Sequence, residues 1–513
     1  MNGAEALART LAVAGVDVCF ANPGTSEMHF VSALDRVAGL RCVLGLAETV
    51  VSGCADGYAR MAEKPAATLL HCGPGLANGL ANFHNARRAN TPIVSIVGDQ
   101  ATYHRPLDAP LTTDTEALAR SVSTWVHTCE SAASVGADAA AAVQAARKPP
   151  GGIATLILPA DCAWDEGAQP GEAPAIAPPT EVPPQTIASI ARALRSGSPA
   201  MLVLSGAALT ERGLRAAQRV AHASGAQLRT PTQVPRMARG AGRVPVDRIP
   251  YVVDSALKVL EGMRHLVLAG AKAPVGFFAY PGKPGKLWPR DCEVHVLARV
   301  EDDVVTALEA LADELSAPRQ VPVRDDVPRP ELYGGPFKPE PFGRTLAALL
   351  PENSIVAEDA VTSGRALFPQ TWAAAPHDWI QITGGAIGHA FPAATGAAVA
   401  CPDRKVVCLQ ADGAGMYSLQ SLWTQAREKL DVVNVVFANR RYAILQGELA
   451  AVGAQPGPAS LELFDLARPE IRWTKLAEGM GVEAVRVETL ETFADAFRAA
   501  TARRGPFLIE FSI

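Results

Sequence analysis

No stretch of this 513-residue chain approaches the ~18 uninterrupted apolar residues that a membrane span requires. The opening Met1-Asn2-Gly3-Ala4-Glu5-Ala6-Leu7 lacks the basic start and apolar core of a targeting segment, so a cytoplasmic protein is expected. Like charges never run five or more in a row and the formal net charge is only −5, which leaves no electrostatic footprint for nucleic acid or an anionic membrane. Nine cysteines are scattered singly, without Cys-x-x-Cys metal spacing, and are too sparse for a disulfide scaffold. Reduced core thiols are the expectation.

What the chain does have is apolar material for several cores, 48% of its residues, and two proline-rich stretches that divide it. One carries Pro170, Pro174, Pro178, Pro179, Pro183 and Pro184; the other holds seven prolines between Pro318 and Pro341. Such compositions favour extended linkers over packed elements. The expected organisation is an N-terminal domain over 1–165, a linker over 166–185, a central domain over 186–316, a linker over 317–342 and a C-terminal domain over 343–513. Each block alternates short β-branched runs, such as Ile93-Val94-Ser95-Ile96-Val97 and His265-Leu266-Val267-Leu268, with Ala/Leu-rich helical stretches. The fold class is therefore α/β, with a parallel sheet flanked by helices in each of three domains.

The C-terminal block contains the most informative pattern. Lys405–Gln410 and Val432–Phe437 read as buried strands joined by an amphipathic helix over Tyr417–Lys429, which puts Asp412 and Asn439 at the ends of parallel neighbours. A carboxylate and a carboxamide so placed can converge on one hard cation that carries a diphosphate. Gly413 and Gly415 would let backbone N–H groups approach phosphate. An ordinary Asp-Gly turn and Asn loop fit the same residues.

The N-terminal block offers a second constellation. Val18-Cys19-Phe20-Ala21-Asn22-Pro23-Gly24-Thr25-Ser26-Glu27 is a strand entering a Pro-Gly turn and a helix start. Glu48 heads a helix of small and apolar residues, where an isolated carboxyl should have raised proton affinity, although a simple dipole-capping role also fits. His71 ends the strand Leu69-Leu70 before a Gly-rich turn, placed either as a core residue or as a proton carrier.

Together these motifs resemble the thiamine-diphosphate (ThDP) enzymes of the pyruvate oxidase and acetolactate synthase superfamily, and most of all its benzoylformate decarboxylase branch. The likeness covers nearly the whole chain and rests on Asn22–Glu27, on Glu48 with Ala55-Asp56-Gly57-Tyr58-Ala59, on His71 with Gly75, on Gly384–Ala394 and on Asp412–Tyr442. It implies ThDP and Mg²⁺ as cofactors, with Glu48 bonding the aminopyrimidine ring and Asp412, Asn439 and the Arg441 carbonyl holding the metal. It further implies that Ile387 supports the bent cofactor, that Gly385, Gly413, Ala414 and Tyr442 lie against it, and that a homodimer or homotetramer shares sites between subunits. The flavin-binding Arg-Phe-Asp-Asp-Arg pattern is missing, so FAD is not expected.

The implied activity is cleavage of a 2-oxo acid to an acyl-carbanion equivalent, followed by aldehyde release or by carboligation to an aldehyde or second 2-oxo acid, as in acetolactate synthases. His71 and Thr25 match substrate-handling residues, the latter standing where the family has serine. A second histidine of the decarboxylase falls near Phe278, which makes carboligation more credible. Leu111, Ile444 and Leu445 match an apolar pocket wall, with Phe278, His104 and Glu448 as further pocket candidates, and such a wall suits an uncharged substrate side chain. A non-catalytic assembly or regulatory relative is the alternative from another class; retention of Glu48, Asp412 and Asn439 together weighs against it.

Overall fold

The computed structural model describes residues 1–323 and 327–513 and, among them, three β-sheets; residues 324–326, inside the second proline-rich stretch, lie outside the described residues. The first sheet comprises β1 (Val18–Asn22), β2 (Arg41–Leu44), β3 (Ala66–His71), β4 (Ile93–Asp99), β5 (Trp125–Thr128) and β6 (Ile153–Pro159), ordered β2-β1-β3-β4-β6-β5. Every residue of β4 and β6 is buried, as continuous apolar runs in the middle of a two-sided parallel sheet should be. The second sheet uses β7 (Ala200–Leu204), β8 (Gln227–Thr230), β10 (Asp247–Arg248), β11 (His265–Ala269) and β12 (Glu293–Ala298), ordered β10-β8-β7-β11-β12.

The third sheet contains β13 (Ile355–Asp359), β14 (His377–Gln381), β15 (Val406–Ala411), β16 (Val432–Ala438), β17 (Glu483–Val487) and β18 (Phe507–Ser512), all parallel. It also takes in β9 (Arg236–Arg239), a strand of the central block that pairs antiparallel with β14. This departs from the expectation of purely parallel sheets, and the cause is local. Fully buried Arg239 lies 3.6 Å above the Phe368 ring and 3.8 Å above the Trp372 ring, and it donates to the Phe368 carbonyl and to Thr371 Oγ1. Desolvation holds its pKa well below the usual guanidinium value, and aromatic faces recover part of the lost hydration.

The helix expected over Tyr417–Lys429 is shorter, Ser421–Arg427, because Tyr417 and Ser418 close tight turns onto Ala414 and Gly415. Helices begin at Pro184 and Pro339, inside the stretches expected to be linkers, each using proline where a first-turn N–H has no partner. No helix among the described residues is long and apolar enough to cross a membrane.

The first and third sheets meet through two helices, Glu48–Ala62 and Ala390–Ala400, that approach at backbone distance. A Cβ on Gly57 would stand 2.1 Å from the Ala393 carbonyl oxygen, and one on Gly396 would stand 1.9 Å from that of Cys54. Beside this contact, Asp56 and Arg60 form a buried bidentate pair at 2.6 and 2.8 Å. Asp56 also accepts from Thr91 Oγ1 at 2.6 Å and lies 2.8 Å from His389 Nε2. Replacing Gly396 with Val should destabilise the chain by about 1–3 kcal/mol or more through overpacking against immovable backbone. Chemical denaturation of Gly396→Val against wild type measures this, and an unchanged midpoint would contradict the close approach.

Candidate active site

The third sheet switches direction between β13 and β15, and the crevice at the carboxyl ends of such strands is where α/β folds bind ligands. Asp359 ends β13, Asp412 follows β15 and Asn439 follows β16. Because Ala411 is in register with Phe437, Asp412 reaches the turn beyond β16: its carboxylate accepts from the Arg440 N–H at 2.6 Å and from the Gly413 N–H at 2.8 Å. Asn439 Oδ1 accepts from the Arg441 N–H at 3.0 Å, which holds the amide oxygen in the same turn. Burial pushes the Asp412 carboxyl up despite these amides, so a cation beside it would relieve an unpaired buried charge. Two side-chain oxygens and a nearby main-chain carbonyl form a hard, all-oxygen donor set of the kind Mg²⁺ prefers.

Next to this turn opens a cavity of about 840 Å³, within the range of small-molecule sites. Gly385, Ile387, Tyr442, Ile444, Leu445, Glu448 and Phe278 all line it, so seven of the residues singled out from the sequence converge here. Gly385 has φ +79°, and a Cβ there would stand 2.7 Å from the Phe277 ring, so a side chain would fill the cradle. The Tyr442 ring likewise covers Gly413, beside buried Ala414. Buried polar atoms with no partner, Asp359 Oδ1 and Ser418 Oγ, stand close to the same crevice. Asp359 Oδ2, by contrast, accepts from the Gly388 and His389 N–H groups at 2.8 and 3.1 Å.

Glu448 is not a free loop carboxylate. Tyr251 donates to one of its oxygens at 3.1 Å and Tyr280 to the other at 2.7 Å. Burial, followed by neighbouring hydroxyl and carboxylate groups, raises the pKa of Tyr251, and burial and Glu448 raise that of Tyr280, so both remain donors.

A separate cluster forms at the carboxyl ends of β1 and β3. His71 Nδ1 lies 2.9 Å from the buried carboxylate of Glu27 and 3.2 Å from Ser26 Oγ. Glu27 is fixed in turn by the Gly24 N–H and Ser26 Oγ, both at 2.6 Å. Such a carboxylate orients the imidazole and leaves Nε2 to exchange protons. Cys72 Sγ lies 3.3 Å from Ser26, but burial raises its pKa to about 11, which keeps it a thiol. Thr25 is exposed at the start of a 3-10 turn, and the hydroxyl at His71 belongs to Ser26. Glu48 opens its helix half-buried, with Asn78 donating to its carboxylate at 3.2 Å, rather than enclosed in an apolar pocket. Leu111 is exposed at φ +75° and His104 precedes the 3-10 turn Arg105–Leu107.

Thus Glu48, His71, Thr25, Leu111 and His104 do not line the cavity, and within one chain the two groups of expected site residues stay apart. Reading the sequence missed Glu27, Ser26, Tyr251, Tyr280, Phe277 and Asp359. A signal existed for Glu27, the acid three residues after Gly24, where a helix start can bond it; none existed for the tyrosines.

These features are those of a ThDP enzyme. The model described as thiamine pyrophosphate enzyme, N-terminal TPP binding domain, matches residues 1–120, and that of the C-terminal TPP binding domain matches residues 360–511. The chain belongs to this family. It is 53% identical, over 99% of its length and 98% of the relative's, to the Mycobacterium tuberculosis protein named "Putative acetolactate synthase large subunit IlvX". It is 27% identical to benzoylformate decarboxylase of Pseudomonas aeruginosa over 97% of this chain and 96% of that one. Among solved structures, the ThDP-dependent 4-hydroxybenzoylformate decarboxylase of Rhodococcus jostii RHA1 superposes with a TM-score of 0.87 at 25% identity, covering 100% of this chain and 99% of the other. The chain is a ThDP-dependent enzyme related to benzoylformate decarboxylases and acetolactate synthases.

Burial raises the pKa of Asp359 to about 7, above its unfolded value near 3.8. Its protonated form therefore stabilises the fold fully below pH ~4, and that contribution is lost as pH rises through about 7. In the absence of cofactor, wild type should lose stability relative to Asp359→Asn between pH 4 and 7. Denaturation midpoints of both proteins across that window check the slope.

Proposed function

We propose that the chain cleaves a 2-oxo acid with an uncharged side chain, using ThDP and Mg²⁺, and either releases an aldehyde or couples the acyl unit to an acceptor. The observation that carries this reading is that the Asp412 carboxylate, from the end of β15, is bonded into the turn after β16 that carries Asn439, beside the cavity lined by Gly385 and Ile387. Asp412, Asn439 and the Arg441 carbonyl would hold Mg²⁺. Gly413, Ala414 and Tyr442 would lie along the diphosphate, with Ile387 beneath the bend. When bound, ThDP supplies a thiazolium carbon able to accept the electrons released by decarboxylation.

The protein's own part is orientation and proton control. Glu48 would share a proton with the pyrimidine ring, and His71, oriented by Glu27, would carry protons to and from the reacting oxygen, with Thr25 near the substrate carboxylate. Ile444, Leu445, Phe277 and Phe278 give the cavity an apolar wall suited to an aryl or branched side chain. No histidine lines the cavity among the described residues, so nothing on that wall delivers a proton as an imidazole would, and carboligation competes with aldehyde release.

In this reading Glu48 and His71 would approach the cavity from a second subunit. Leu46, two residues before Glu48, and Tyr103, Leu107 and Leu111, in the loop after the strand paired with that of His71, all expose large apolar side chains, an arrangement that a homodimer or homotetramer would cover.

Mixing the protein with ThDP and Mg²⁺ should raise its thermal midpoint and give an induced circular dichroism signal, both lost in Asp412→Ala. Turnover of a 2-oxo acid panel, with and without aldehydes, should fall about 10²–10⁴-fold in Glu48→Gln. Full turnover in Glu48→Gln would refute the proton role, and absence of cofactor response in wild type would refute the reading as a whole.

A further inference from the structure

Far from the cofactor crevice, at the amino ends of β11 and β12, three side chains bring their ligating atoms together. His265 Nδ1 and His295 Nε2 stand 3.1 Å apart, and Glu293 Oε2 lies 3.8 Å from the first and 3.7 Å from the second. The strand register explains the convergence. His265 is paired with Glu293 and Val267 with His295, so alternation puts His265, Glu293 and His295 on one face of the sheet.

We propose that His265, Glu293 and His295 bind one divalent transition-metal ion of the zinc type. Ligands around tetrahedral Zn²⁺, at about 2.0–2.1 Å from the ion, stand roughly 3.3–3.4 Å from one another. The observed separations of 3.1, 3.7 and 3.8 Å bracket that value, so a small turn of the exposed Glu293 side chain completes the set. Its side chain is 70% accessible, whereas the imidazoles are 13% and 18% accessible, which describes a shallow site with a fixed nitrogen floor and a movable oxygen arm. Water would take the fourth position.

A bridging proton between the two rings is the competing explanation, since one nitrogen must carry hydrogen at 3.1 Å. That bond leaves the Glu293 carboxylate beyond hydrogen-bond distance of both rings, whereas a metal recruits all three groups. Arg264, next to His265 in the chain, and Asp291, two residues before Glu293, neutralise one another in an ion pair. Burial, and then the neighbouring His265, lowers the pKa of His295, leaving a neutral ring with a lone pair at neutral pH. Two nitrogens and one oxygen suit Zn²⁺, Co²⁺ or Ni²⁺, while Mg²⁺ keeps to oxygen, so the two kinds of ion would not compete for one site.

The position gives the ion a consequence. Residues 270–292 form the connection between β11 and β12 and carry Phe277 and Phe278 to the cavity wall and Tyr280 to Glu448. A metal joining His265 to Glu293 and His295 would fasten the two strands at their amino ends, where this connection enters β12.

The test uses holoenzyme already loaded with ThDP and Mg²⁺. Equilibrium dialysis against Zn²⁺ with metal analysis should give one zinc per chain, and Co²⁺ should give the visible absorption bands of a four-coordinate ion. His265→Ala and His295→Ala should each weaken zinc binding at least tenfold. Glu293→Ala, at an exposed position that does not threaten folding, should also weaken it. Zinc should slow proteolytic cleavage within 270–292 in wild type but not in these variants. Absence of stoichiometric zinc in wild type, or binding unaltered in the three variants, would overturn the assignment.

Discussion

The buried pair of Asp56 and Arg60 is the constraint on which the arrangement of the molecule depends. Two ionised groups taken out of water are expensive unless every remaining donor and acceptor is satisfied. Burial alone would raise the pKa of Asp56, yet the Arg60 charge and bonds from His389 and Thr91 hold it below the usual carboxylate range. Arg60 directs its other donors to two further parts of the chain, the Pro235 carbonyl at 3.1 Å and, at the end of β14, the Gln381 carbonyl at 2.6 Å and Thr383 Oγ1 at 3.0 Å. One side chain from the first sheet's helix thereby fixes the central block and the third sheet together. The network is satisfied only when all three blocks are docked, and so it specifies one mutual orientation rather than merely adding attraction.

That orientation has a direct effect on the two halves of the site. The helix that carries Asp56 begins with Glu48, and the helix opposite it continues from the Gly385–His389 turn at the cofactor crevice. Glycine at 57 and 396 brings the helix axes within backbone contact, so neither half can shift without breaking the other's packing. Glu48 is nonetheless absent from the lining of its own chain's cavity.

Much of this was legible in the sequence because it depends on local pattern. The strand ends that place Asp412 and Asn439 follow from continuous β-branched runs, and the alternation of strands and helices in each block dictated the sheets. Contacts made at long sequence separation left no such trace. Nothing near Arg236–Arg239 announces that it will pair with His377–Gln381, because the partner is set by where Arg239 finds Phe368 and Trp372. Tyr251 and Tyr280 lie far from Glu448 in sequence, and only folding sets both hydroxyls against the carboxylate that was expected at the pocket. Thr25 matched a family position by spacing, but the turn geometry gives Ser26 the contact with His71.

The helix Ala443–Ala451 has no buried residue, although it supplies Ile444, Leu445 and Glu448 to the cavity. Substitutions on it disturb little of the core, whereas Asn439, a few positions earlier, follows a fully buried strand. One wall of the cavity is thus built on the element least committed to the core, and exchanges of Ile444 or Leu445 would reshape that wall at little thermodynamic expense to the fold.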